Sequence, residues 1–473
     1  MSAFEQLQKT ADDDVQHVVG TEKPNADAAI ETNPEIEMAR EHLDDIEDRN
    51  ATTIQILDDT VIATESRDLS EREYSVLRTS LKAITGEQPF KVIAQEDDNP
   101  VSNRQLALEG FKETLKKFWT YIKEQAKKFW NLLKRWWFKT FDISKRAKTR
   151  AEKLIDRADR EYGVSAENEI PFKEIKKLAM NGRINDPAAI VKGLKDLEEL
   201  VAELIATREA DLFNDAAQDL TDKTTEIIEG IKSHADALTK ARGEDARIER
   251  SDLSVKESDM NEFIQIVETI FARSDSSLVD HRDFGLDKAD KYLKQYGEVG
   301  KVSFRHSNHL PGDKWVLAID PAISRNAGPT IDLGTTIEGM RASRMLMASC
   351  LYGDKQYDAE PLVKVLTTSA ISRGCENIVR ICEYINEYRG AFERRDRFKE
   401  RVIKDIDQVV NNLTQDNDMT YVECDRLIRS FANAIIGLIR RRSDFETSLC
   451  AYSMSTSIAF LNYSELSLKQ YTK

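Results

Sequence analysis

Residues 110–150 read GFKETLKKFWTYIKEQAKKFWNLLKRWWFKTFDISKRAKTR, with ten aromatic side chains and thirteen lysines or arginines in forty-one positions. Apolar residues recur at Phe111, Leu115, Phe118, Ile122, Phe129, Leu132 and Trp136, steps of three, four or seven that place them on one helical face. Lys112, Lys116, Lys123, Lys127 and Lys134 occupy much of the remaining surface. Only Glu113, Glu124 and Asp142 oppose the thirteen cations, a local charge of +10. The pattern predicts a long amphipathic helix with two uses open to it. Its rings can bury at a headgroup layer, in a partner protein or against nucleic-acid bases while the lysines meet anionic charge. The last of these is opposed by the acidic leader upstream. Alternatively it is a core helix of a bundle, with its lysines solvated. Trp136, Trp137 and Phe138 are consecutive and point in different directions, which ranks the surface role first. The candidate binding residues are therefore Phe111, Lys112, Lys116, Phe118, Trp119, Lys123, Lys127, Phe129, Trp130, Lys134, Trp136 and Trp137.

Upstream, Asn99-Pro100 breaks the chain, because the residue before proline avoids the helical region. Ser102 with Gln105 forms a capping box, so the helix should begin at about residue 103. Everything before it is acidic. Residues 1–109 hold 10 basic and 25 acidic side chains, the whole net charge of −15, and the rest of the chain is neutral. Neighbouring segments of opposite charge mark a tail, a regulatory arm or a removable piece. The leader has few aromatics and short periodic stretches at 36–46 and 69–84, consistent with isolated helices joined by disordered linkers.

Downstream the pattern is mostly helical. Asp186-Pro187 is a cap followed by proline at the first helical position. Ile190, Leu194, Leu197, Val201 and Leu204 continue from it, and a nine-residue gap to Phe213 breaks the repeat, favouring packed or kinked helices over one coiled coil. His234 occupies a step of the next seam and reads as a core or interface histidine. Asp259 with Glu262 predicts a capped helix through Phe271, and from Leu362 to Leu468 nearly everything reads helical. The exception is a β-hairpin, with runs at 301–306 and 314–319 around Pro311-Gly312. The fold class expected is mostly α: a multi-helix, elongated or bundle-like body with a small hairpin insertion around 300–320 and a partly disordered N-terminal region. Five segments follow: a leader over 1–96, the basic aromatic helix over 97–150, a helical region over 151–296, the hairpin and loops over 297–336, and a helical domain over 337–473.

Chemistry-bearing motifs are few. The chain of 473 residues holds 19 Gly, 10 Pro and five scattered cysteines (Cys350, Cys375, Cys382, Cys424 and Cys450) without a CxxC pair. They read as reduced thiols. No apolar run is long enough to span a bilayer, and Thr447 to Ser464, although uncharged, is rich in Ser and Thr and reads as buried helix. The start lacks the layout of a signal peptide. Asp332-Leu333-Gly334-Thr335-Thr336 is similar to the first phosphate loop of actin-like ATPases, but the roughly 140 residues after it read as helices rather than a nucleotide-binding sheet. His306 and His309 read as surface residues. No Walker A loop, GxSxG or HExxH occurs, so no enzyme activity, cofactor or metal is expected.

The leader repeats a tripeptide, Ala-x-Glu, at Ala3, Ala29, Ala39, Ala63, Ala94 and Ala107, each with Glu two positions on; beyond Glu109 it recurs at Ala391. Chance at this composition gives one or two, and an Ala- and Glu-rich helix is the plain alternative to a signal. An acidic leader carrying such sites, a basic helix and a cofactor-free helical body together resemble, in layout, the internal head proteins of phiKZ-like tailed bacteriophages. The resemblance implies a non-enzymatic virion protein, made in the host cytoplasm as a precursor, cut after Glu by a prohead protease and held in the capsid interior. Implied partners are other virion proteins and that protease. Ala94-Gln95-Glu96 lies in open chain and ranks first; Ala107-Leu108-Glu109 lies inside the expected helix and ranks second. The alternative is a cytoplasmic peripheral-membrane or scaffold protein docking on anionic lipid through residues 103–141. A second copy of the chain is a further partner to consider, and sequence-specific nucleic-acid recognition is not expected.

Overall fold

The basic aromatic stretch forms one unbroken helix, Asn103–Ala158. It starts where the predicted cap puts it and continues past residue 150 with no break. At 1.5 Å per residue it is about 80 Å long. A computed structural model describes residues 70–85, 103–161, 165–205, 207–242, 256–271, 278–280, 302–321, 333–349, 361–413 and 419–471, with five isolated positions between 43 and 56. The leader's expected disordered linkers and the Ser102 cap lie outside the described residues.

Eight α-helices occur among the described residues: α1 (Glu71–Thr85), α2 (Asn103–Ala158), α3 (Pro187–Ile205), α4 (Thr207–Arg242), α5 (Glu257–Phe271), α6 (Leu333–Ala342), α7 (Thr368–Leu413) and α8 (Met419–Leu468). The body is helical, as the periodicity implies, and α7 organises it by packing against α2, α3, α4 and α8. Cross-helix bonds give the directions. Lys123 meets Asp407, Lys134 meets Asp396 and Lys148 meets Glu383, so α2 and α7 run antiparallel along most of their lengths. Arg150 meets Glu465 and Arg157 donates to the Leu468 carbonyl, which sets α8 parallel to α2. The gap after Leu204 coincides with the boundary between α3 and α4.

Local signals hold at several ends. The Asp186 carboxylate accepts the Ala189 N–H at 3.0 Å and starts α3. Ser70 and Glu73 bond reciprocally at the start of α1, which lies against α2. One end differs: α5 starts at Glu257, and Asp259 and Glu262 lie within it rather than capping it. Both hold Lys223 of α4, at 3.2 and 2.6 Å. Hydrogen bonding to Glu262 raises the Lys223 pKa in spite of burial.

The predicted hairpin is present as β3 (Val302–His306) and β4 (Lys314–Pro321), antiparallel with His306 opposite Leu317. Its tip needs left-handed backbone at Gly312 (φ 72°) and Asp313 (φ 53°). The Gly312 N–H donates to the Ala179 carbonyl at 2.8 Å, and Asp313 accepts from the Gly182 N–H, tying the turn to the helical body. Two further strands complete a four-stranded antiparallel sheet, β2 (Val279–Asp280) and β5 (Arg344–Ser349). A separate pair joins β1 (Glu169–Pro171) to β6 (Leu362–Lys364). Strands β5 and β6 lie within the segment read as a helical domain, 337–473, and neither was expected. Both are short, and β6 is stabilised by pairing with a segment almost 200 residues away, which no local window contains.

Candidate functional site

The candidate site is the basic aromatic helix α2 and the groove that holds it. Trp119, Tyr121, Ile122, Phe129, Trp130, Leu133, Trp136, Trp137 and Phe141 are all buried. Trp137 packs within 4.7 Å of Tyr388 and 5.6 Å of Phe392, ring centre to ring centre, both on α7. Trp130 stands 6.2 Å from Phe392 and has the Lys399 ammonium 4.4 Å from its ring centre. The Trp119 indole N–H donates to Asp407 at 2.7 Å. The rings expected to face a membrane or partner thus lie inside the molecule. The physical reason is that α7 and α8 both cover α2, making the buried sector wide enough for Trp136 and Trp137 together. Phe138 is the large α2 ring left exposed among the described side chains, with the Arg389 guanidinium over it.

The lysines of the candidate set divide. Lys123 and Lys134 form ion pairs with Asp407 and Asp396 of α7, while Lys116 and Lys127 are exposed. Phe111, Lys112 and Phe118 belong to α2, but their side chains lie outside the described residues. Asp396 is held below the ordinary carboxylate pKa. Burial acts against this, and the bonds from Lys134 and Lys399 outweigh it.

Deeper between α7, α8 and α4 lies a buried polar cluster that the sequence reading missed. Arg395 (α7) and Glu446 (α8) are fully enclosed and ion-paired. Arg395 also bonds Asn214 at 3.0 Å and the hydroxyls of Tyr388 and Ser443 at 3.2 Å. Tyr388 donates to Glu446, and Arg442 bonds the other Glu446 oxygen at 2.7 Å. Burial alone would raise the Glu446 carboxyl, but the charges of Arg395 and Arg442 hold it below its usual pKa. Arg442 also bonds the Leu204 carbonyl at the end of α3, and Arg441 bonds the Met340 and Ser343 carbonyls at the end of α6. Two consecutive arginines thereby stabilise the negative ends of two helices. The available signal was Arg440-Arg441-Arg442 with Glu446 one turn on, directly before an uncharged segment. That segment is buried, as expected: Thr447 and Ser453 return their hydroxyls to carbonyls four residues back.

The remaining candidates are not drawn together. Ala94 and Glu96 lie outside the described residues, and Ala107 and Glu109 are in α2. Gly334, Thr335 and Thr336 form the first turn of α6, a helix rather than a phosphate loop. His306 packs edge-on to Trp315, and His309 meets Asn181 at 2.6 Å. His234 is exposed, which corrects its placement in a seam. Cys375, Cys382 and Cys450 are free and buried, and burial pushes the Cys375 and Cys382 thiols up to about 12. Among the described residues no group of three or more His, Cys, Asp or Glu could hold a metal ion, and no helix is long and apolar enough to cross a membrane.

A family model described as phiKZ-like phage internal head proteins matches residues 25–466, nearly the whole chain. No curated protein and no solved structure matches it.

Proposed function

The chain belongs to the phiKZ-like phage internal head proteins, and from that premise we propose that it is made as a precursor whose acidic leader is removed by a prohead protease. As a member of that family it is a structural component of the phage head interior. The observation that carries the processing step is the clustering of Ala-x-Glu in the leader: six within residues 1–109 and one beyond. Of the two sites nearest α2, Ala107-Leu108-Glu109 is helical and would have to unwind to enter a protease cleft. Cleavage after Glu96 falls before Asn103 and leaves α2 whole. Residues 1–96 hold 9 basic and 22 acidic side chains, so this cut removes a charge of −13. It also removes α1 from the flank of α2.

The test is N-terminal mass spectrometry on the protein from purified particles. The mature chain should begin at Asp97, and Glu96→Ala should block that cut. Particles whose protein still begins at Met1 or Ser2 overturn the reading, and a start at Gly110 moves the site to Glu109.

A further inference from the structure

The cations of α2 form two sets. Lys123, Lys134, Lys148 and Arg150 turn toward the bundle and pair with Asp407, Asp396, Glu383 and Glu465. A second set is exposed, with Arg157 among it although it also donates to the Leu468 carbonyl. Between residues 116 and 157, ten exposed lysines and arginines stand against four exposed acids (Glu124, Asp142, Glu152 and Asp156), a net charge of +6. Six of the ten, Lys128, Arg135, Lys139, Arg146, Lys153 and Arg157, are separated by steps of seven, four, seven, seven and four residues. At 3.6 residues per turn those steps keep all six within about 20° of one line along the helix. At 1.5 Å per residue the line is about 44 Å long, with neighbours about 6 to 10 Å apart. The four central members, Arg135, Lys139, Arg146 and Lys153, have no ion-pair partner among the described residues.

We propose that this line docks on the phosphate backbone of double-stranded nucleic acid without reading its sequence. The inference rests on the charge geometry alone and not on the processing of the leader. Packing against α7 along most of α2 supports the helix, so the cations are arrayed before any ligand arrives. A helix edge that carries cations over about 44 Å, interrupted by Asp142 between Lys139 and Arg146, matches a stiff duplex, which carries one negative charge per roughly 1.7 Å of axis. Anionic lipid offers the same charge, but stable adsorption to a bilayer also needs apolar burial. The tryptophans that could supply it are enclosed by the bundle. Lysines and arginines along one helix edge can neutralise phosphates, and contacts of that kind position a protein without specifying sequence.

The experiment is fluorescence anisotropy of the full-length protein with a labelled 30-base-pair duplex of random sequence, from 50 to 200 mM KCl. Saturable binding is expected, weakening about a thousandfold over that range if six phosphates are neutralised. Replacing the central four together (Arg135→Glu, Lys139→Glu, Arg146→Glu and Lys153→Glu) should weaken binding at 50 mM KCl at least tenfold and flatten the salt slope by about 3 to 4. Exchanging the same four between Lys and Arg should preserve binding, with circular dichroism confirming that both variants fold. No binding by the native protein, or equal binding by the charge-reversed form, overturns the proposal. Binding to phosphatidylserine vesicles without binding to duplex overturns it in favour of lipid.

Discussion

Asp407 of α7 accepts the Trp119 indole N–H at 2.7 Å, and its two oxygens also receive the Lys123 ammonium at 2.8 and 2.9 Å. One carboxylate thus anchors a ring and a cation of the basic helix near the far end of α7. Asp407→Ala should lower stability by about 1–3 kcal/mol in urea titration, since it strands a buried indole donor. Asp407→Asn keeps an acceptor for the indole and should lose less. Equal losses would show that the charge, not the indole bond, carries the contact.

The enclosure of α2 predicts its fluorescence. The full-length protein in water should emit at the blue end of the tryptophan range and resist acrylamide quenching, because Trp119, Trp130, Trp136 and Trp137 are all buried. Adding anionic vesicles should leave the emission unchanged. Trp137→Ala should cost about 3–5 kcal/mol by creating a cavity against Tyr388 and Phe392. A red-shifted, freely quenched native protein would return these rings to a surface role.

Gly374 of α7 faces the ring of Phe460 on α8. A β-carbon at this position would lie 2.2 Å from Phe460 Cζ. Gly374→Ala should therefore destabilise by about 1–3 kcal/mol, although alanine is the better helix former. Coupling it with Phe460→Leu should recover part of the loss, measured by a double-mutant cycle.

The buried Arg395–Glu446 pair predicts a pH dependence with a definite sign. The Glu446 carboxyl is held below its ordinary value in the folded chain, so its contribution to stability is present above the unfolded-state pKa. That contribution is lost as pH falls through the lower, folded-state value. Glu446→Gln should weaken the chain at pH 7 by about 3–5 kcal/mol, since it leaves Arg395 enclosed without its counter-charge. The variant should also lose less stability than the native protein on acidification, readable from thermal melts between pH 3 and 7. Equal acid sensitivity would place the titrating group elsewhere.

Periodicity along the chain was enough to establish the helical class, the start of α2 near residue 103, the α3 boundary at Asp186-Pro187 and the hairpin about Gly312. Each depends on interactions within a few residues, which a local pattern records. The charge step between leader and basic helix was legible too, because it is a matter of composition. Which way the rings of α2 face was not. An amphipathic stripe specifies an apolar face, but the same face serves a bilayer or a neighbouring helix. The choice was made by Tyr388, Phe392, Asp396 and Asp407, over 250 residues away, when α7 came to lie antiparallel along α2. The pairing of β1 with β6 and the enclosure of Arg395 with Glu446 were decided in the same way. A buried charge or a three-residue strand is stable only beside its partner, and that partner is brought near by the packed fold rather than by the sequence around it.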